Sequence, residues 1–96
     1  MYEVRLKPLA LIDLEEIWFY SYNKWTLEQA ELYLDSLDNG ISKISQDPFN
    51  GKSISTIENG YFSFSVNHHT IFYYMEENVV VIVRILHEMM DTGRHI

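Results

Sequence analysis

The sequence predicts a two-layer α+β domain spanning residues 1–96. It would hold an N-terminal strand, an antiparallel two-helix hairpin, then three antiparallel strands, all in one mainly antiparallel sheet covered on one face by the hairpin. Three observations predict it. Apolar residues recur at helical spacing from Ala10 to Ile44 with one short break, period-2 alternation replaces that spacing on both sides, and the breaker cluster Asp47-Pro48-Phe49-Asn50-Gly51 separates the two regimes.

The elements follow in order. Tyr2 to Lys7 alternates Val4 and Leu6 with Arg5 and Lys7, as a strand with one buried face does. Pro8 suits a first helical turn, where its missing N–H costs nothing. Ala10, Leu14, Ile17 and Ser21 then mark a buried stripe, which Leu11 and Trp18 widen, on a helix running to about Asn23. Thr26 and Gln29 have the capping-box spacing at the start of a second helix, whose apolar face is Ala30, Leu34, Leu37, Ile41 and Ile44. Gly40 lies inside that pattern, either for close packing or as a weak point. Trp18 and Trp25 fall at the hairpin's end and are expected to close the core. Strands are expected at Tyr61 to Val66, Thr70 to Met75 and Asn78 to Leu86, the last two joined through Glu76-Glu77-Asn78. Val79 to Val83 is apolar on both sides and should be the most buried strand. His87 to Ile96 forms a short polar tail.

Composition narrows the function classes. The 96 residues carry 14 Asp and Glu against 7 Lys and Arg, a formal charge of −7. Such a surface disfavours direct nucleic-acid binding, because phosphate backbones seek basic patches. The absence of cysteine excludes disulfides and thiolate metal sites. His68, His69 and His87 lack a further ligand at convincing spacing, so no metal and no cofactor are expected. The start shows no cationic segment followed by an apolar run, and no stretch reaches membrane-spanning length, so a cytoplasmic location without membrane contact is expected.

Several fragments, in order and at compatible spacing, carry a family resemblance. They are Pro8-Leu9-Ala10 with Asp13-Leu14-Glu15-Glu16-Ile17-Trp18-Phe19-Tyr20, then Gln29-Ala30-Glu31-Leu32-Tyr33 with Leu37. Pro48 and Gly51 follow, then Gly60-Tyr61, His69-Thr70-Ile71-Phe72-Tyr73, and Val83-Arg84-Ile85-Leu86-His87 with Met90-Asp91. Together they resemble the ParE branch of the ParE/RelE toxin superfamily, over nearly the whole chain. The resemblance implies a type II toxin–antitoxin role and a plasmid-stabilisation context. It implies a cognate ParD-like antitoxin that wraps the toxin in a hetero-oligomeric complex, and DNA gyrase as the inhibited target. RelE-like relatives instead cut messenger RNA on the ribosome. Pro48, Gly51, His69, Tyr73 and Leu86 would form the structural family motif.

The residues favour protein binding over catalysis. Ribonucleolytic 2′-hydroxyl attack needs a base, an acid and cations for the phosphate. The available set is Arg84, Arg94, Lys52, His68, His69, His87 and Glu88, while Tyr61 to Val66 holds no cation. Phe62 and Ser63 stand where many ParE-like chains carry Arg after the Gly-Tyr pair, Met89 stands where Arg often precedes Met-Asp, and Lys7 replaces a helix-capping Ser. The shared fold and Arg84 leave open a ribosome-dependent endoribonuclease, and these departures leave open an inactive homologue kept as an antitoxin partner. Target-binding candidates are Arg84, His87, Met90, Asp91 and Arg94. Antitoxin-binding candidates are Leu11, Trp18, Tyr22, Tyr61 and Tyr74. Arg84 has two readings: reach toward the target, or pairing with an acid such as Asp91 to tie down the tail. His69 is expected to be a hydrogen-bonded structural histidine. Of Tyr73 and Tyr74, which face opposite sides of the sheet, one should be core.

Overall fold

The computed structural model describes residues 1–54 and 60–88. In chain order the elements are β1 (Glu3–Leu6), α1 (Pro8–Lys24), α2 (Leu27–Gln46), a 3-10 turn (Pro48–Asn50), β2 (Lys52–Ile54), β3 (Tyr61–Val66), β4 (His69–Glu76) and β5 (Val79–His87). The sheet has five strands in the order β1-β5-β4-β3-β2, one more than the sequence pattern predicts. The extra strand, β2, is too short and polar to show alternation. It pairs antiparallel with β3, Lys52 opposite Ser63. β1 runs parallel to β5, and the remaining pairs are antiparallel.

Local chemistry sets the helix ends. Lys7 is the N-cap of α1, with Pro8 directly after it and no side-chain cap bond. Its ammonium instead sits 5.6 Å from the centre of the Tyr74 ring, a cation–π contact. The Thr26 hydroxyl accepts the Gln29 N–H at 3.2 Å, capping α2 as the spacing predicts. Asn67 (φ 53) and Glu77 (φ 56) take left-handed conformations in the two tight strand connections.

The core lies between the hairpin and one sheet face. Ala10 and Ile44 from the helices meet Ile71, Tyr73, Val80, Ile82 and Ile85 from β4 and β5. Gly40 is a close-approach position, since a Cβ there would run into the Cγ2 methyl of Val66 on β3. The Tyr73 hydroxyl donates to the Pro48 carbonyl at 2.6 Å and lies against Gly51. That contact joins the breaker cluster to the sheet's centre. Ser45 donates to the Tyr2 carbonyl at 2.6 Å while the Tyr2 N–H bonds the Ser45 carbonyl at 2.9 Å, strapping the chain start to the end of α2.

Two expectations about α1 fail. Leu11 and Trp18 do not widen the buried stripe, and Trp18 does not close the core; both are exposed, Trp18 at 57%. They sit about 80–100° around the helix from Ala10, beyond the arc a flat sheet can cover. Trp25 is also partly exposed and packs edge-on against Tyr33, with ring centres 5.0 Å apart.

Candidate functional site

Three features of the molecule carry chemistry. The first is the outer face of α1. Leu11, Trp18 and Tyr22 form one exposed row, and Ile12 and Phe19 form a second row beside it. Trp18 and Tyr22 meet edge-to-face at 5.0 Å. Phe19 is 70% exposed, an unusual state for a large aromatic residue on a helix. Ile12 and Phe19 were absent from the sequence candidates. Their signal was present: removing the buried stripe from a strongly apolar helix leaves them on its back.

The second feature is a buried ion pair at the edge of β5. β1 ends at Leu6, opposite Ile82, so the β5 edge beyond that point has no β1 partner. Asp13 of α1 takes the vacant place and accepts the Ile85 N–H at 3.0 Å. Its carboxylate also accepts from Arg84 Nε at 2.7 Å and Nη2 at 2.8 Å, a bidentate pair. Both side chains are mostly buried, at 14% exposure for Arg84 and 8% for Asp13. The hydrogen bond that Arg84 donates to Asp13 pushes the Arg84 pKa up further, against the opposing effect of burial. The register slips by one residue around Val83, directly before Arg84, which turns the strand at this point. The acid found on Arg84 is thus Asp13 of α1; Asp91, the partner suggested from sequence, lies outside the described residues. The sequence showed Asp13 only as a residue beside the apolar stripe, because a pairing across 71 positions leaves no local mark.

The third feature is a groove of about 440 Å³ between the far end of α1, the start of α2 and the β3–β4 turn. Glu16, Tyr20, Trp25, Tyr33, His68 and His87 contribute to its walls. Tyr20 and Tyr33 both meet the Trp25 ring edge-to-face, at 6.2 and 5.0 Å. At its floor the Tyr33 hydroxyl is hydrogen-bonded to His69 Nδ1. Burial, then the neighbouring His87 and His68, pull the His69 pKa down to about 4, so the ring is neutral near pH 7. Burial raises the Tyr33 pKa, so its hydroxyl keeps its proton and can donate to the neutral ring. His87 faces His69 edge-on at 5.2 Å, and His68 pairs with Glu88 at 3.0 Å. Among the described residues no group of three or more His, Cys, Asp or Glu could hold a metal ion.

The remaining candidates fall as follows. Tyr61 and Tyr74 stack on each other at 5.5 Å, on the sheet face opposite to Tyr73 and away from Leu11, Trp18 and Tyr22. The five antitoxin candidates therefore form two patches. Tyr73 is fully buried and Tyr74 is half-buried. Leu86 is buried on β5. Lys52 is exposed on the edge strand β2, opposite the middle of β3 and not at the β3–β4 turn that carries the histidines. Met90, Asp91 and Arg94 lie outside the described residues. Phe62, at the position where many ParE-like chains carry Arg, stacks on Tyr73 at 5.4 Å. No described helix is long and apolar enough to cross a membrane.

Comparison with known proteins agrees with this architecture. Residues 4–92 match the family described as the ParE toxin of the type II toxin–antitoxin system parDE. Toxin ParE1 of Mycobacterium tuberculosis (strain ATCC 25618 / H37Rv) is 38% identical over 92 residues, covering 95% of this chain and 94% of the relative. Toxin ParE1 of Caulobacter vibrioides is 34% identical over 92 residues, covering 96% and 95%. Among solved structures, the chromosomal ParDE toxin–antitoxin system from P. aeruginosa superposes with a TM-score of 0.75 at 15% identity, over 91% of this chain and 96% of that one. The RelBE2 toxin–antitoxin complex from Mycobacterium tuberculosis superposes with a TM-score of 0.64 at 21% identity, over 90% and 96%. With this match over almost its full length, the chain belongs to the ParE toxin family of type II toxin–antitoxin systems.

Proposed function

We propose that this toxin acts by binding a protein, with DNA gyrase as the target the family implies, and that a cognate antitoxin silences it by direct contact. The observation that carries the reading is the exposed apolar face of α1, Leu11, Trp18 and Tyr22 with Ile12 and Phe19, on a chain of net charge −7. Aromatic rows of this kind suit a protein partner and not a phosphate backbone. We assign that row to the antitoxin. Tyr61 and Tyr74 would be reached only by a segment that continues around to the other sheet face. The ParDE toxin–antitoxin system and the RelBE2 toxin–antitoxin complex, whose folds this chain shares, support such a complex. Because Arg84 is held by Asp13, we give it a structural role and leave target contact to His87 and the following segment with Met90, Asp91 and Arg94.

The test is a gyrase supercoiling assay with purified, folded protein. Inhibition at micromolar concentration, relieved by the co-expressed antitoxin, is expected. Full supercoiling activity at that concentration refutes the gyrase assignment.

One observation favours a second reading, a ribosome-dependent messenger RNA endoribonuclease. His69, His87 and Tyr33 gather at one place and could move protons. The described cations do not join them: Arg84 is paired with Asp13 and Lys52 sits on β2. Codon-linked cuts in primer extension on translated messages would establish this alternative.

A further inference from the structure

Asp13 of the buried pair and the core residues Ile17 and Ile85 border the groove between α1, α2 and the β3–β4 turn, yet the rest of its wall has a chemistry that neither the pair nor the core uses. We infer that it is a receptor for an arginine side chain presented by a partner segment.

Two features point to a cation. Trp25 meets Tyr20 and Tyr33 edge-to-face, at 84° and 70°, so the rings form a corner offering both faces and edges. A guanidinium stacks on such faces, and an ammonium does so less well because it holds its water more tightly. Then there is charge. Asp13 is neutralised by Arg84, and His68 is bonded to Glu88. Glu16 lies on the groove wall one turn before Tyr20, near enough for its charge to be felt by the Arg84 guanidinium but in an ion pair with no described residue. The groove therefore carries surplus negative charge on an aromatic wall, within a chain of net charge −7.

The ring at the floor fits the same guest. Neutral His69, already bonded to Tyr33, adds no positive charge to oppose an incoming cation. An arginine entering would place its stem against Ile17 and its planar head between Trp25 and Glu16, so that charge pairing and stacking act together. An acidic guest would meet Glu16 unfavourably. A purely apolar guest would leave that carboxylate partly desolvated without a partner.

The partner's identity rests on the proposed function: the antitoxin is the natural source of the arginine, on a segment that continues past the end of α1. The chemistry of the groove can be tested without it. The probes are acetyl-Leu-Arg-Leu-amide and the same peptide with citrulline, which keeps the shape and removes the charge. Nitrogen-15 spectra of the intact chain report the Trp25 indole N–H, assigned with Trp18→Phe, since the chain has only 2 tryptophans. The arginine peptide is expected to shift that signal saturably and to bind at least about ten-fold more tightly than the citrulline peptide. Glu16→Gln, an exposed substitution, is expected to remove most of that preference while the circular dichroism spectrum stays the same. Equal binding of both peptides, an unchanged preference in Glu16→Gln, or no saturable shift by about 10 mM peptide overturns the inference. The antitoxin assignment is separately readable, because co-purification of the two full-length proteins would persist if only the groove chemistry were wrong.

Discussion

Removing the Asp13 carboxylate is the most informative single change. Asp13→Ala takes from Arg84 its bidentate partner at 2.7 and 2.8 Å and from Ile85 the acceptor of its N–H at 3.0 Å. Breaking a buried pair by deleting one member costs about 3–5 kcal/mol, and an orphaned buried N–H costs about 1–3 kcal/mol. These overlap, and both groups keep some contact with water, so about 4 kcal/mol is expected. A domain of this size has about 5–10 kcal/mol in total. Urea unfolding followed by tryptophan fluorescence is the assay. With a slope of about 1.5 kcal/mol per molar, the midpoint should fall by about 2.5 M. Arg84→Met should cost a similar amount, because it strands the carboxylate. The double variant should lose clearly less than the sum, with a coupling of about 2–3 kcal/mol, since the desolvated charges disappear together. A midpoint shift under about 0.5 M for Asp13→Ala, or strict additivity, would falsify the view that this pair fastens α1 to β5.

Other outcomes follow from single contacts. Tyr73→Phe leaves the buried Pro48 carbonyl without its 2.6 Å donor and should cost about 1–2 kcal/mol in the same assay; no loss would show that the carbonyl finds another donor. Gly40→Ala gains about 1 kcal/mol of helix propensity but drives a methyl into Val66, so a net loss of about 1–2 kcal/mol is expected. Adding Val66→Ala should recover part of it, and a stabilised single variant would contradict the close approach. For His69, the unfolded ring titrates near 6.5 and the folded ring near 4, so the unfolded chain binds more protons between those values. The contribution of His69 is fully present above pH 6.5 and is lost as acid is added toward pH 4, by about 1–2 kcal/mol once solvent screening of a partly exposed ring is allowed for. Urea midpoints at pH 7.5 and 5 should therefore diverge less in His69→Gln than in the parent; equal divergence would remove His69 as the cause.

Periodicity made most of the architecture legible. The stripe of Ala10, Leu14, Ile17 and Ser21, the Thr26 cap and the alternation on β3 and β4 all reflect local geometry, which a sequence carries directly. β2 escaped because three residues are too few to alternate. The width of the α1 stripe was misjudged because apolar residues continue around the helix, and only the flatness of the sheet decides which of them are covered. The site was less legible than the fold. The pairing of Asp13 with Arg84 and the meeting of Tyr33 with His69 each join residues far apart in sequence, and neither has a local signature. His69 was recognisable as a bonded histidine from its place at the start of a strand, though nothing in the chain nominated Tyr33 as its partner.

The parallel pairing of β1 with β5 has a consequence for how the chain is made. β1 sits at the sheet's edge, and among the described strands its one neighbour is β5, the last of them in chain order. A ribosome delivering this polypeptide exposes Glu3–Leu6 well before its partner Val79–Ile82. The helical hairpin can form early, but the sheet face it docks on is incomplete until β4 and β5 have been made. The complete sheet thus cannot precede the delivery of β5, and β1 waits without its strand partner while both helices and the intervening strands are made.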